Sequence, residues 1–211
     1  MKSLAVVLFF LLQIEGYSQS ADEANLNNKA VALIDNEQYK EALPYLDELV
    51  KRNPGSTIFR YNRAVTLFNL KRYAEALADY KFLTVTIPEE SEYFFQCGNA
   101  YEQMDSTQQA LGYYSKAIQL ENDIFLYYFK RGTIFLKDGK FKEAEADFNE
   151  SLLLNPDHHN SLHNRGIALY KLGQQRKACE DWCLANQLGN EYSLSHIRKN
   201  CSMFDPCKER K

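Results

Sequence analysis

Two hydrophobic patterns divide the chain. Near its start an unbroken apolar run from Leu4 to Leu12 reads LAVVLFFLL behind Lys2, and Gln13 and Glu15 end it. From Glu23 onward small and bulky apolar residues recur three or four positions apart among charged and amide residues, which is the spacing of helices with one buried face. This second pattern has a period of 34 residues: Pro54 and Pro88 are 34 apart, Pro156 follows after 68, Asn122 occupies the skipped site and Asn190 the next. With that residue counted as position 32, units start at Glu23, Thr57, Ser91, Phe125 and His159. Position 8 is then Ala30, Ala64, Gly98, Gly132 and Gly166, and position 20 is Ala42, Ala76, Ala110, Ala144 and Ala178. Position 11 is Leu33, Leu67, Tyr101, Phe135 and Leu169, and position 24 is Leu46, Tyr80, Tyr114, Phe148 and Trp182. Small residues let two helix backbones approach while bulky ones fill the space beside them. Each unit is therefore predicted to hold two helices, at roughly positions 2–14 and 18–31, with Pro or Asn at position 32 stopping the second.

These residues resemble the tetratricopeptide repeat (TPR) family, and the resemblance covers Glu23 to about Tyr192 in five consecutive units, 23–56, 57–90, 91–124, 125–158 and 159–192. It implies an all-α fold, an α-solenoid (right-handed superhelix) of five helical hairpins with a C-terminal capping helix in 193–211. One hairpin cannot bury its apolar face, but stacked hairpins can. The first unit departs most, with Lys29 before its small residue and Pro44 inside its second helix. Leu194, Ile197 and Cys201 recur at helical spacing and suit a cap. The stretch from Lys177 to Trp182, with Leu188-Gly189-Asn190 and Cys201, resembles the closing segment of TPR proteins in Gram-negative cell envelopes.

Comparison between units exposes a charge pair. Arg63, Arg131 and Arg165 occupy position 7, and Asp79, Asp147 and Asp181 occupy position 23. The other two units lose both partners together, as Lys29 with Tyr45 and Cys97 with Tyr113. An Arg–Asp contact between the two helices of one hairpin follows, in preference to a basic strip for acidic ligands.

In the TPR family the first helices line a concave groove in which partners lie. Carried over to this chain, the groove residues are Tyr61, Asn62, Val65, Phe95, Asn99, Phe129, Lys130, Thr133, His163 and Asn164. Aromatics give contact area at low entropy cost, and amides both donate and accept, which suits a peptide or helix of another protein. The Lys and Asn set of the chaperone-tail clamp is missing: the third unit has Phe95 and Asn99 without the Lys.

Composition narrows the classes further. The 211 residues are 45% hydrophobic and 25% charged with a net charge of −3, so the chain can bury a core and lacks the basic field of a nucleic-acid binder. The apolar run is too short for a membrane span, which needs about 20 residues. With Gly16-Tyr17-Ser18 behind it, it reads as a signal peptide over residues 1–18, cut after Ser18 or alternatively Ser20, giving an exported, periplasmic or secreted protein.

Export permits disulfides among the five cysteines. An antiparallel helix pair around a turn at Leu188–Asn190 joins residues equidistant from it. The midpoint of Cys179 and Cys201 is 190, whereas Cys183 gives 192 with Cys201 and 195 with Cys207, so Cys179–Cys201 is the expected bridge. A zinc site from Cys179, Cys183 and Cys201 matches no common finger spacing. His158, His159 and His163 cluster without a His-Glu-x-x-His arrangement and are read as solvent-exposed rather than as a metal site or the centre of a metal-dependent enzyme. No phosphate loop or nucleophile elbow occurs. The expected protein is a non-enzymatic interaction scaffold or adaptor without cofactor or metal, with a self-associating structural module of the envelope as the alternative.

Overall fold

The computed structural model describes residues 21–203 and Cys207, so the segment read as a signal peptide lies outside the described residues. Eleven α-helices and no strand occur among the described residues, placing the protein in the all-α class. They fall into two compact units, one ending at Pro88 and one beginning at Glu89. The first holds α1 (Ala21–Asp35), α2 (Tyr39–Arg52), α3 (Thr57–Asn69) and α4 (Tyr73–Thr86). The second holds α5 (Ser91–Gln103), α6 (Thr107–Leu120), α7 (Phe125–Lys137), α8 (Phe141–Leu154), α9 (His159–Lys171), α10 (Gln175–Gln187) and α11 (Tyr192–Asn200).

Within each unit, helices consecutive in the chain pack as antiparallel hairpins that stack in the α-solenoid manner. Helices α3, α5, α7 and α9 begin at Thr57, Ser91, Phe125 and His159, the first residues of four repeats, while α1 begins two residues ahead of Glu23. First helices α3, α5, α7 and α9 occupy positions 1–13 and second helices start at position 17, ending at 30 or, in α10, at 29, about one residue earlier than the spacing predicts. Second helices end just before an extended residue, Asn53, Ile87, Glu121 and Asn155, and three of these precede proline, which disfavours helical backbone in the residue before it. Helix α2 runs without interruption through Pro44, whose side is exposed.

The small position at 8 is a contact between backbone and ring. A Cβ built on Gly98 falls 2.5 Å from Tyr114, and one built on Gly166 falls 2.5 Å from the Trp182 indole. Both rings are fully buried, so neither can yield without moving the core. In the first unit Ala30, Ala42, Leu46, Leu49, Val50 and Phe59 form the corresponding core.

The turn inside each hairpin follows one rule that the sequence shows only in part. Position 15 takes positive φ in all five repeats, at Glu37, Lys71, Asp105, Gly139 and Gly173, and only the last two are glycine. A side chain there costs roughly 1–2 kcal/mol, partly offset by the greater freedom glycine has when unfolded. Lys71→Gly is expected to stabilise the first unit by about 0.5–1 kcal/mol, read as a higher urea midpoint. A lower midpoint would show that Lys71 holds the turn through its side chain.

Candidate interaction face on the first helices

Each of the three Arg–Asp pairs is bidentate. Arg63 Nε donates to Asp79 Oδ2 at 2.7 Å and Nη2 to Oδ1 at 2.9 Å. Arg131 meets Asp147 at 2.8 and 2.7 Å, and Arg165 meets Asp181 at 2.7 and 2.8 Å. The aspartates are buried, and the fork geometry satisfies both oxygens. The third guanidinium nitrogen reaches the preceding hairpin: Arg63 to Asp47 at 3.3 Å, Arg131 to Ser115 at 3.1 Å and Arg165 to Asn149 at 2.9 Å. All three acceptors stand at position 25, so one arginine ties its own hairpin shut and fastens it to the one before. In the first unit Arg60 adds a second partner to Asp79 at 2.7 Å, its guanidinium 4.0 Å from the Phe82 ring centroid.

These clamps lie between helices and leave the first-helix face to other residues. In the first unit Asn62 donates to Asn27 at 3.2 Å, linking α3 to α1, while Val65 is half-buried and the Tyr61 ring meets Tyr80 edge-on. In the second unit Lys130 binds Glu102 at 3.0 Å, linking α7 to α5, and Asn164 donates to Thr133 Oγ1 at 3.4 Å, linking α9 to α7. Position 6 therefore joins successive first helices in both units.

The polar residues of this face are bonded to one another. Gln96 Nε2 donates to Glu92 at 2.6 Å, and Asn99 Nδ2 donates to Gln96 Oε1 at 3.1 Å. The Tyr114 hydroxyl stands 2.9 Å from Asn99 Oδ1 and 2.8 Å from Glu102 Oε2, sharing its one proton between them. Burial pushes the Glu92 carboxyl up to about 6. Burial also pushes on Glu102, but the Lys130 charge with the Tyr114 and Lys130 hydrogen bonds outweighs it and holds that carboxyl below the usual range. The amides are thus partly committed before any partner arrives.

Two expected groove residues are elsewhere. Phe95 is buried, its ring 4.7 Å from Tyr127 and 5.6 Å from Tyr114, so it fills the core between hairpins instead of lining an open wall. His163 lies beneath α11: its Nδ1 is 2.8 Å from Ser193 Oγ, and its ring is 5.3 Å from that of His196. Phe129 is half-buried, edge-on to His158 at 4.7 Å.

The histidines are not the exposed side chains expected from sequence. His158 Nδ1 is 2.7 Å from Ser161 Oγ, His159 Nδ1 is buried, and His163 and His196 share the α9–α11 interface. Among the described residues no group of three or more His, Cys, Asp or Glu is arranged to hold a metal ion. Burial, followed by the neighbouring His196, lowers His163 from 6.5 to about 4. The unfolded chain then binds this proton more readily, so the folded state loses stability as pH falls below about 6.5, down to about 4. Glu92 acts oppositely between 4.5 and about 6, where rising pH removes its contribution. His163→Gln is expected to flatten the fall in melting temperature between pH 7 and pH 4.5; an unchanged slope would contradict the burial of a neutral ring.

At the C-terminal end Cys179 and Cys201 form a disulfide, with Cα atoms 5.7 Å apart, and Cys183 and Cys207 form a second. Cys207 lies past the end of α11 in sequence, outside the helix pair, so the midpoint rule does not set its partner. Asn190 ties the turn down, donating to Asn160 at 3.0 Å and accepting from the Ser193 backbone N–H at 3.2 Å. The His196 ring stacks on Trp182 at 4.6 Å.

These features define a helical-repeat protein whose first helices carry an ordered polar face. Tetratricopeptide repeat family models match residues 27–84 and 125–158, the second span coinciding with the fourth repeat. The chain belongs to the tetratricopeptide repeat family. It is 31% identical over 153 residues to the TPR repeat-containing protein MJ1428 of Methanocaldococcus jannaschii, covering 69% of this chain and 26% of that protein. It is 25% identical over 158 residues to human tetratricopeptide repeat protein 13, covering 72% and 18% respectively. The chain thus spans about a quarter or less of the length of these relatives. Among solved structures it superposes on YrrB, described as a TPR protein with an unusual peptide-binding site, with a TM-score of 0.70 at 19% identity, covering 85% of this chain and 94% of that one. It superposes on MamA from Desulfovibrio magneticus with a TM-score of 0.74 at 15% identity, covering 80% and 96%.

Proposed function

We propose that the protein is a non-catalytic scaffold that holds a peptide or helix of another protein against its first helices, and that it works outside the cytoplasm. The observation that carries the binding reading is the hydrogen-bonded ladder from Glu92 through Gln96, Asn99 and Tyr114 to Glu102 and Lys130. Side chains fixed before binding lose less conformational freedom when a partner arrives. Around them Phe129, Thr133 and Asn164 are only half-buried and offer apolar area and amide contacts. Kinship of fold with YrrB supports a peptide-sized ligand. Two disulfides near the C-terminus support export, since such bonds persist in oxidising compartments.

The test compares variants of the full chain as baits in envelope extract, followed by titration of the captured partner. Phe129→Ala with Asn99→Ala is expected to weaken capture about tenfold or more with helicity retained. Leu153→Ala, on the exposed side of the second helix α8, leaves capture unchanged. Loss of capture with Leu153→Ala alone would overturn the assignment of the face.

A further inference from the structure

The two disulfides differ in access to solvent. Cys179 and Cys201 are both buried, at 0% and 2% exposure, inside the cluster of Leu169, Ala178 and Trp182. Cys183 is buried at 3%, but its partner Cys207 is exposed. Thiol–disulfide exchange needs a thiolate to reach one sulfur along the S–S axis, so access decides which bridge reacts and at which end.

We infer that the Cys183–Cys207 bridge is a thiol-exchange site, with Cys207 as the sulfur that takes up an external low-molecular-mass thiol. The incoming thiolate attacks Cys207 Sγ, a new S–S bond forms there, the Cys183–Cys207 bond breaks, and Cys183 leaves as a thiolate that takes a proton from water. One disulfide replaces another, so no oxidant or reductant is consumed. Cys183, on α10, can attack the adduct in turn, expelling the external thiol, so the modification is reversible. The cap need not open: Cys179–Cys201 still fastens the end of α11 to α10, Gln175 Nε2 donates to the Asn200 carbonyl at 2.6 Å, and Ser193 still meets His163. The protein would thus carry a reversible covalent handle near its C-terminus, apart from the first-helix face.

The oxidised full chain is incubated with reduced glutathione, quenched in acid, alkylated and mapped by peptide mass spectrometry. Glutathione is expected on Cys207 and the alkyl group on Cys183, at least about tenfold faster than any opening of Cys179–Cys201. Hydrogen exchange of α11 is expected to stay unchanged in the adduct. In single variants, Cys183→Ser leaves a Cys207 thiol that alkylates fast, whereas Cys207→Ser leaves a Cys183 thiol that alkylates slowly. Glutathione on Cys179 or Cys201 first, equal rates for the two bridges, loss of α11 protection in the adduct, or fast labelling of Cys183 in Cys207→Ser would each overturn the inference.

Discussion

Trp182→Ala is expected to destabilise the second unit by about 3–5 kcal/mol, the largest single-residue effect in the molecule. The indole is fully buried in the last hairpin. Its ring lies where a Cβ on Gly166 would stand, its Nε1–H donates to the His163 carbonyl at 3.1 Å, and His196 and Tyr170 cover it at 4.6 and 5.8 Å. Truncation opens a cavity among groups pinned by the Cys179–Cys201 bridge, which limits collapse into the space. Chemical denaturation followed by circular dichroism measures the loss, because Trp182 is the chain's one tryptophan and fluorescence disappears with it. Trp182→Phe should cost less, since it keeps most of the apolar contact. A loss below about 1 kcal/mol for the alanine variant would mean that the last hairpin is not closed around this ring.

Arg131→Ala is expected to cost about 2–4 kcal/mol, slightly less than loss of a wholly buried partner because the guanidinium keeps 20% exposure. The variant leaves the Asp147 carboxylate, 7% exposed, without its two donors and also cuts the bond to Ser115 in the preceding hairpin. An unpaired buried charge costs more than an absent pair, so removing both partners should be milder. The third repeat already carries such a solution, with Cys97 at position 7 and Tyr113 at position 23. Grafting it as Arg131→Cys with Asp147→Tyr is expected to recover part of the loss relative to Arg131→Ala. A double variant less stable than Arg131→Ala would show that the clamp contributes more than neutralising Asp147.

The repeat phase was legible because packing at positions 8 and 24 constrains residue size in every hairpin. Gly98 faces Tyr114 and Gly166 faces Trp182, and a Cβ at either glycine has no room. The Arg–Asp contact was legible because both partners vanish together where one does. Its extension to the preceding hairpin was not, because Asp47, Ser115 and Asn149 share only an acceptor oxygen. The left-handed turn at position 15 is hidden for the same kind of reason: Glu37, Lys71 and Asp105 adopt a backbone that only Gly139 and Gly173 advertise.

The candidate face was legible as a set of positions and less so residue by residue. Position 5 faces outward far enough for Phe129 to stay half-buried, yet at Phe95 the rings of Tyr114 and Tyr127 close over it, and at His163 the cap does. Periodicity places a side chain on a face but does not say how large its neighbours are. Nor does it show that amides on that face satisfy one another, as Gln96 and Asn99 do.

Hydrogen exchange of the full chain with and without its captured partner reads out which helices the partner covers. Added protection is expected on the first helices α7 and α9, around Lys130, Thr133 and Asn164, with α8 and α10 unchanged. Protection confined to the second helices α8 and α10 would contradict it.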